Sequence, residues 1–490
     1  MKKKYIKVLA ALMLSVGATS CGDGFLETDI YDAIDLENGL SNVTNIGYAV
    51  NGTYYQLFRY YFAGNYSTSI GDIASDLAYW NGQSGHWDDI VKFSPKETSN
   101  YLYYIWNYGY KVADNSSRII KAGKELTNLT EDEQSELDEY LAEAYALRAY
   151  SHFMLVNIFG HQLMVDGTSF ASAQGIVVID EPVAAGAHVE RSSVGKAYEL
   201  IESDLKASLE HFDRAGWCND GIFYFTPTAV NGLLSRVYLY EEKYQESIDA
   251  AQEALDMSGI TELAYTDASY KALYNGGASN VESFFALNIN PSDNWSANSC
   301  GTLWSTYNFS PSPYLQSLMA EDDVRRSVWA GSNLDAQVPT FSSGKFCAFS
   351  YGNSAYGTNY LINAPEMFLN QAEAYLKQSK ISEAQNALIV VAKRNPAITS
   401  VSDLPSDVSG LTEFPQNERG RELFQEGHRL YDLRRWNVMA NLYAVDAPNI
   451  QWTYNDFKIS DCVFPIPVDE VNAGFGVEQT TGWQSTFPGM

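Results

Sequence analysis

Two stretches of this chain set tryptophan and tyrosine among glycine, serine and amides, the residue types that grip a sugar ring. The first reads SDLAYWNGQSGHW over residues 75–87, and the second NPSDNWSANSCGTLWSTYNFSPSPY over residues 290–314. A pyranose has an apolar face of axial C–H bonds and a rim of hydroxyls. A flat indole or phenol covers the face, while Asn, Gln and Asp take the rim in directional hydrogen bonds. The candidate ligand contacts are therefore Trp80 and Asn81 from the first stretch and Trp295 and Trp304 from the second. Asp76, Trp87 and Tyr307 stand beside them. Any single Trp serves a core equally well; two such loops in one chain turn the reading toward recognition.

Other chemistry finds little support. There is no HExxH, no Walker loop, no GxSxG and no dinucleotide fingerprint, so no catalytic residue and no cofactor is assigned, and the chain is read as a non-enzyme. The five cysteines stand at 21, 218, 300, 347 and 462 without a CxxC or a Cys/His cluster, which leaves no metal site. Whether the last four pair stays open. His428 lies in a charged helix and reads as structural. Around it Arg421, Glu422, Glu426, Arg429, Asp432, Arg434 and Arg435 interleave at three- and four-residue spacing, which suits an ion-pair network rather than a catalytic cluster. Were those pairs exposed, each would add only about 0.2–0.5 kcal/mol.

The elements that must hold these loops are helical. LLSRVYLYEEKYQESIDAAQEAL, residues 233–255, and NQAEAYLKQSKISEAQNALIVVA, residues 370–392, align with Tyr238 on Tyr375, Tyr244 on Ile381 and Ser247 on Ala384. A large residue, another six positions on and a small one three further describe two helices across a tight turn. A looser copy runs over 137–160. The expected fold is mainly α: tetratricopeptide-like helix pairs form a scaffold, and long irregular loops with a few short strands carry the ligand face. Further helices are expected over 42–61, 101–123 and 189–212, with Ser192 or Ser193 as cap. GIVVID is the one clear β run within 161–190, and VESFFALNI is strand-like.

With 60 acidic against 32 basic residues and a net charge of −28, the surface repels nucleic acid and offers anionic lipid no basic patch. The amino terminus carries an address instead. Residues 1–20 have a basic start, an apolar run and small residues before Cys21, the pattern of a signal peptide too short to span a bilayer. Ala18-Thr19-Ser20-Cys21 matches a loose lipobox, so Cys21 is the expected lipidation site and 21–41 an acidic tether.

At 418–436 the residues become specific. ERGRELFQEGHRLYDLRRW resembles the carboxy-terminal signature of the SusD/RagB family of outer-membrane nutrient-binding lipoproteins. CGDGFLETD after the lipid cysteine is similar to the family's start. AEAYALRAYSHFMLVNIFG, VERSSVGKAYELIESDL, PEMFLNQAEAYL and FPIPVDEV are similar to its internal blocks. Departures are Asn437 after the RW pair, Ala364-Pro365 before Glu366, and a tail without the Asn-Pro step after Asn472. The resemblance implies an amino-terminal helical region over 42–256 and a carboxy-terminal region over 257–490 with a loop insertion at 257–360. It implies a lipid-anchored protein on the outer face of the outer membrane that captures oligosaccharides for a SusC-like TonB-dependent transporter, with ligand residues drawn from the two loops above. A peptide-capturing, RagB-like role in the same family is the alternative. An enzyme hidden in a helical fold and a pure protein–protein scaffold are the readings from other classes.

Overall fold

The computed structural model describes residues 39–307, 309–336, 338–443 and 452–490. Cys21, the expected signal peptide and most of the expected tether lie outside the described residues. Asn42–Met490 form one unit. Several of its helices begin at capping side chains. The Asn42 side chain accepts from the Asn45 amide and opens α1, Val43–Phe58, which buries Ile46, Val50 and Leu57. A turn leads to α2, Tyr66–Ile73. α3, Asn100–Glu125, and α4, Glu131–Phe159, are long. A capping box between Thr130 and Glu133 opens α4. Ser193, not Ser192, caps α5, Val194–Ala215.

The two repeats are confirmed atom for atom at their turns. In α6, Pro227–Tyr240, and α7, Tyr244–Ser258, the Lys243 amide donates to the Tyr238 carbonyl at 2.9 Å. In α8, Ala364–Lys377, and α9, Ile381–Ala392, Lys380 donates to Tyr375 at 2.9 Å. Glu242 and Ser379, the equivalent residues, both take positive φ, 57° and 60°. Ser247 and Ala384 are buried, as the close helix approach requires. α4 packs between α3 and α5, and α8 packs on α7.

Strands are short and antiparallel: Ala78–Trp80 with Phe309–Pro311, Ser283–Leu287 with Asn359–Asn363, and Met439–Tyr443 with Trp452–Lys458. GIVVID is not a strand. Its polar backbone is satisfied by side chains of α3 and α4: Tyr110 and Ser117 hydroxyls donate to Val177 and Ile179 carbonyls, and the Ile179 amide donates to His152 Nε2. Burial holds His152 neutral, its pKa lowered to about 3, so the ring keeps that acceptor.

The carboxy-terminal signature forms α10, Val408–Leu423, and α11, Arg429–Trp436, with a break between them. Its ion pairs are not exposed: Arg419, Glu422, Asp432 and Arg434 are nearly inaccessible to water. Arg435 pairs with Glu373 on α8, Nη2–Oε2 2.6 Å, and Trp436 Nε1 donates to the same carboxylate. Arg419 pairs with Asp432 and donates to Asn370. Arg236 on α6 meets Glu366 on α8 at 2.6 Å. Burial opposes ionisation of Asp432, yet Arg419 and Arg435 outweigh it and hold the carboxyl well below the usual carboxylate range. Arg434 has no carboxylate; it donates to Asn157 and Gly160 carbonyls, the negative end of the 29-residue α4. His428 is buried and neutral in this network.

Breaking a buried pair leaves an uncompensated charge, so Glu373→Gln costs about 3–5 kcal/mol in urea unfolding. Glu199→Gln, which removes the exposed Lys196–Glu199 pair, leaves the midpoint unchanged. A second outcome concerns Asp72, whose Oδ2 accepts from the Gly427 amide while Oδ1 has no partner. Burial raises its pKa to about 8 against the pull of that N–H and of Lys345. The folded state therefore holds a proton that the unfolded chain releases near pH 4, and the cost of Asp72 grows from about pH 4 to about pH 8. Asp72→Asn removes it: measured across that window, the variant gains on the parent by up to a few kcal/mol, on the order set by about 1.4 kcal/mol per pKa unit.

Candidate ligand-binding site

The two loops read as recognition elements do meet. Pairing of Ala78–Trp80 with Phe309–Pro311 sets Trp80 opposite Phe309. Just beyond, the His86 ring lies on Tyr307 with centroids 3.8 Å apart, and Ser84 Oγ donates to the Tyr307 carbonyl. Burial lowers the His86 pKa, so its ring lies on the phenol as a neutral group.

The side chains expected to form an indole platform are mostly elsewhere. Trp80, Trp87 and Trp304 are 4%, 1% and 1% exposed. Trp304 packs edge-on against Phe309, Phe341 and Phe424. Trp87 stacks on Tyr101 at 3.9 Å and 13°. Asn81 is buried, its amide donating to the Pro339 carbonyl and its oxygen accepting from Gln83 N. Both oxygens of Asp76 take the Arg429 guanidinium, in the wall of a polar concavity shared with Tyr314, Asn417 and Trp436. The reason is area: burying an indole gains more than leaving it to solvent, and the strand pairing supplies the place. Trp80, Asn81, Trp87 and Trp304 are thus buried, and Asp76 borders only that concavity. Trp295 and Tyr307 remain half-buried.

Trp295 leads to a different surface. Its Nε1 donates to the Phe58 carbonyl at 3.0 Å, and its ring lies 5.0 Å from Phe58 and 5.7 Å from Tyr60. The amides of its loop, Asn290 and Asn294, are spent on turn hydrogen bonds rather than on a rim. From Trp295 the rings continue without a gap. Tyr60 lies 3.9 Å from Tyr61, and Tyr61 stacks on Tyr104 at 4.0 Å and sits 4.8 Å from Tyr108. Tyr60 also meets Tyr66 edge-on, and Tyr66 meets Trp87 and Tyr101. Both loops thus join one aromatic face, through tyrosines that neither contains.

Two local features place this face. Tyr101, Tyr104, Tyr108 and Lys111 fall at helical spacing on one half-exposed stripe of α3. The turn carrying Arg59, Tyr60 and Tyr61 folds back so tightly that a Cβ on Gly64 would lie 2.1 Å from the Phe58 carbonyl oxygen. Asn359 pins it, donating to Ala63 and Gly64 carbonyls at 2.9 and 3.0 Å. A hydrogen bond with Tyr60 and then partial burial raise the Tyr61 pKa, so its hydroxyl stays protonated and can donate. The available signal in the sequence was FRYYFAGNY and the tyrosines recurring at helical spacing after it, at 101, 104 and 108.

The four described cysteines beyond position 21 are free thiols. No helix of the described residues is long and apolar enough to cross a membrane.

Comparison with known proteins gives a consistent picture. Residues 25–239 match a SusD-like family described as starch-binding, associating with outer membrane, and residues 330–483 match the SusD family. The SusD-like protein P2 of Formosa agariphila is 23% identical over 257 residues, 51% of this chain and 46% of that protein, so the match spans about half the curated relative. A solved putative sugar binding protein from Bacteroides vulgatus superposes with TM-score 0.78 at 22% identity, covering 91% of this chain and 99% of that one. A SusD superfamily protein from Bacteroides thetaiotaomicron gives 0.76 at 22%, covering 90% and 99%. At such identities the superpositions speak to the fold.

The two tryptophans of the second loop separate by experiment. Trp304→Ala opens a core cavity and costs about 3–5 kcal/mol in thermal or urea unfolding, whereas Trp295→Ala costs clearly less. Equal, small losses would contradict the burial of Trp304.

Proposed function

The chain belongs to the SusD/RagB family of binding proteins, and on that premise we propose that it captures oligosaccharides at the cell surface for import. The observation that carries this reading is the aromatic face through Trp295, Tyr60, Tyr61, Tyr104 and Tyr108. Rings side by side cover the apolar faces of successive sugar units, and neutral phenols donate to their hydroxyls. A face so placed binds without reacting: no nucleophile and base stand together in it.

The family and the amino terminus support a role in delivery. Cys21 carries the lipid, the body stands on the outer face of the outer membrane, and a SusC-like TonB-dependent transporter receives the ligand. The helical repeats serve as scaffold, and the loop insertion supplies Trp295 and Tyr307 to the ligand side. The predicted Trp80, Asn81, Trp87, Trp304 and Asp76 act as supports behind that side.

Affinity electrophoresis in gels holding polysaccharide tests the reading. Tyr61→Ala and Tyr104→Ala each weaken retention by about tenfold, equivalent to about 1.4 kcal/mol, with the melting temperature nearly unchanged. Retention of peptides in place of glycans, or glycan retention indifferent to both substitutions, would contradict it.

A further inference from the structure

The segments that build the aromatic face are poor in acidic residues. Aspartate and glutamate make up roughly one residue in eight of the chain, yet residues 38–71 and 98–113, which supply most of the face, contain none. The acidic residues that follow these runs are already engaged: Asp72 is buried on the Gly427 amide, and Asp114 is paired with Arg118. Asp293, in the Trp295 loop, is the acidic residue of the third contributing segment.

Two cations sit on the face. Arg59 lies 4.6 Å above the Trp295 ring and 5.6 Å from both Tyr55 and Tyr61. Its Nη1 donates to the Tyr55 hydroxyl, and its Nε is buried without a partner. Every other arginine of the chain meets a carboxylate or a backbone carbonyl; among the described residues Arg59 alone meets neither. Lys111 Nζ lies 4.2 Å from the Tyr108 ring centroid at the far end of the stripe and takes part in no ion pair among the described residues. Rings on several sides strip water from a guanidinium and hold its planar fork in place, which makes it a ready partner for a carboxylate or sulfate. In a chain of net charge −28, keeping such a group free of carboxylates needs an explanation.

We propose that the ligand is an anionic oligosaccharide, bearing uronate carboxylates or sulfate esters, with Arg59 meeting the charge and Lys111 meeting a second one along the chain. This rests on the aromatic face being the glycan site. The tyrosines take the sugar rings, and Arg59, which meets no carboxylate of the described residues, is free to take the anion.

The test is a printed array of neutral glycans alongside uronate-bearing and sulfated ones. Each retained charged glycan is then titrated against its uncharged counterpart, methyl-esterified for a uronate and desulfated for a sulfate ester. The charged form binds at least tenfold more tightly; in Arg59→Gln the charged and neutral forms bind the variant equally, and Arg59→Lys restores part of the margin. Which treatment abolishes the margin, esterification or desulfation, identifies the anion. Equal binding of charged and neutral forms, or a margin that survives Arg59→Gln, overturns the inference. If neutral binding is then still lost in Tyr61→Ala, the aromatic face stands and only the charge assignment falls. Retention of no glycan at all overturns both.

Discussion

The structure depends on charges that have been taken out of water. Arg435 with Glu373, Arg419 with Asp432, Arg236 with Glu366 and Arg429 with Asp76 join α11, α10, α6, α8 and the strand at Ala78–Trp80, each with its carboxylate nearly inaccessible. Desolvating such pairs is expensive, and their attraction repays it only in this geometry. The network thus disfavours any other packing of these helices more than it deepens this one. Arg434 adds a contact of another kind, a guanidinium closing the carbonyl end of α4. One short helix thereby fixes elements far apart in the chain.

That framework reaches the ligand side through close backbone contact as well as through side chains. A Cβ on Gly71 would lie 2.0 Å from the Gly427 carbonyl oxygen, and one on Gly427 would lie 2.4 Å from that of Thr68. α2 is therefore pressed directly against the break between α10 and α11. The turn before α2 carries Arg59, Tyr60 and Tyr61, and Asn359 holds it from the strand leading into α8. The turn that carries part of the aromatic face is thus held between two parts of the scaffold.

Much of the scaffold was legible in the sequence because helix repeats are local. Tyr238 and Tyr375, with their small partners Ser247 and Ala384, announce the same turn twice, and the turn hydrogen bonds match. GIVVID misled because β-branched residues in an extended run need not pair with a strand when tyrosine, serine and histidine side chains satisfy the backbone. The ligand side was half legible. Composition located the two loops, and they meet, but it could not rank indoles by burial. Trp304 and Trp87 look alike on paper to Trp295, and only three-dimensional packing decides which ring stays near the surface. The ion pairs of α10 and α11 were legible as pairs while their burial was not, since spacing reports neighbours and not solvent.

The most direct measurement is the structure of the protein with a retained oligosaccharide bound. Sugar rings lying against Tyr61 and Tyr104, with an acidic group within hydrogen-bonding distance of the Arg59 guanidinium, are the result this account predicts. A ligand seated away from the Tyr60–Tyr108 surface would contradict it.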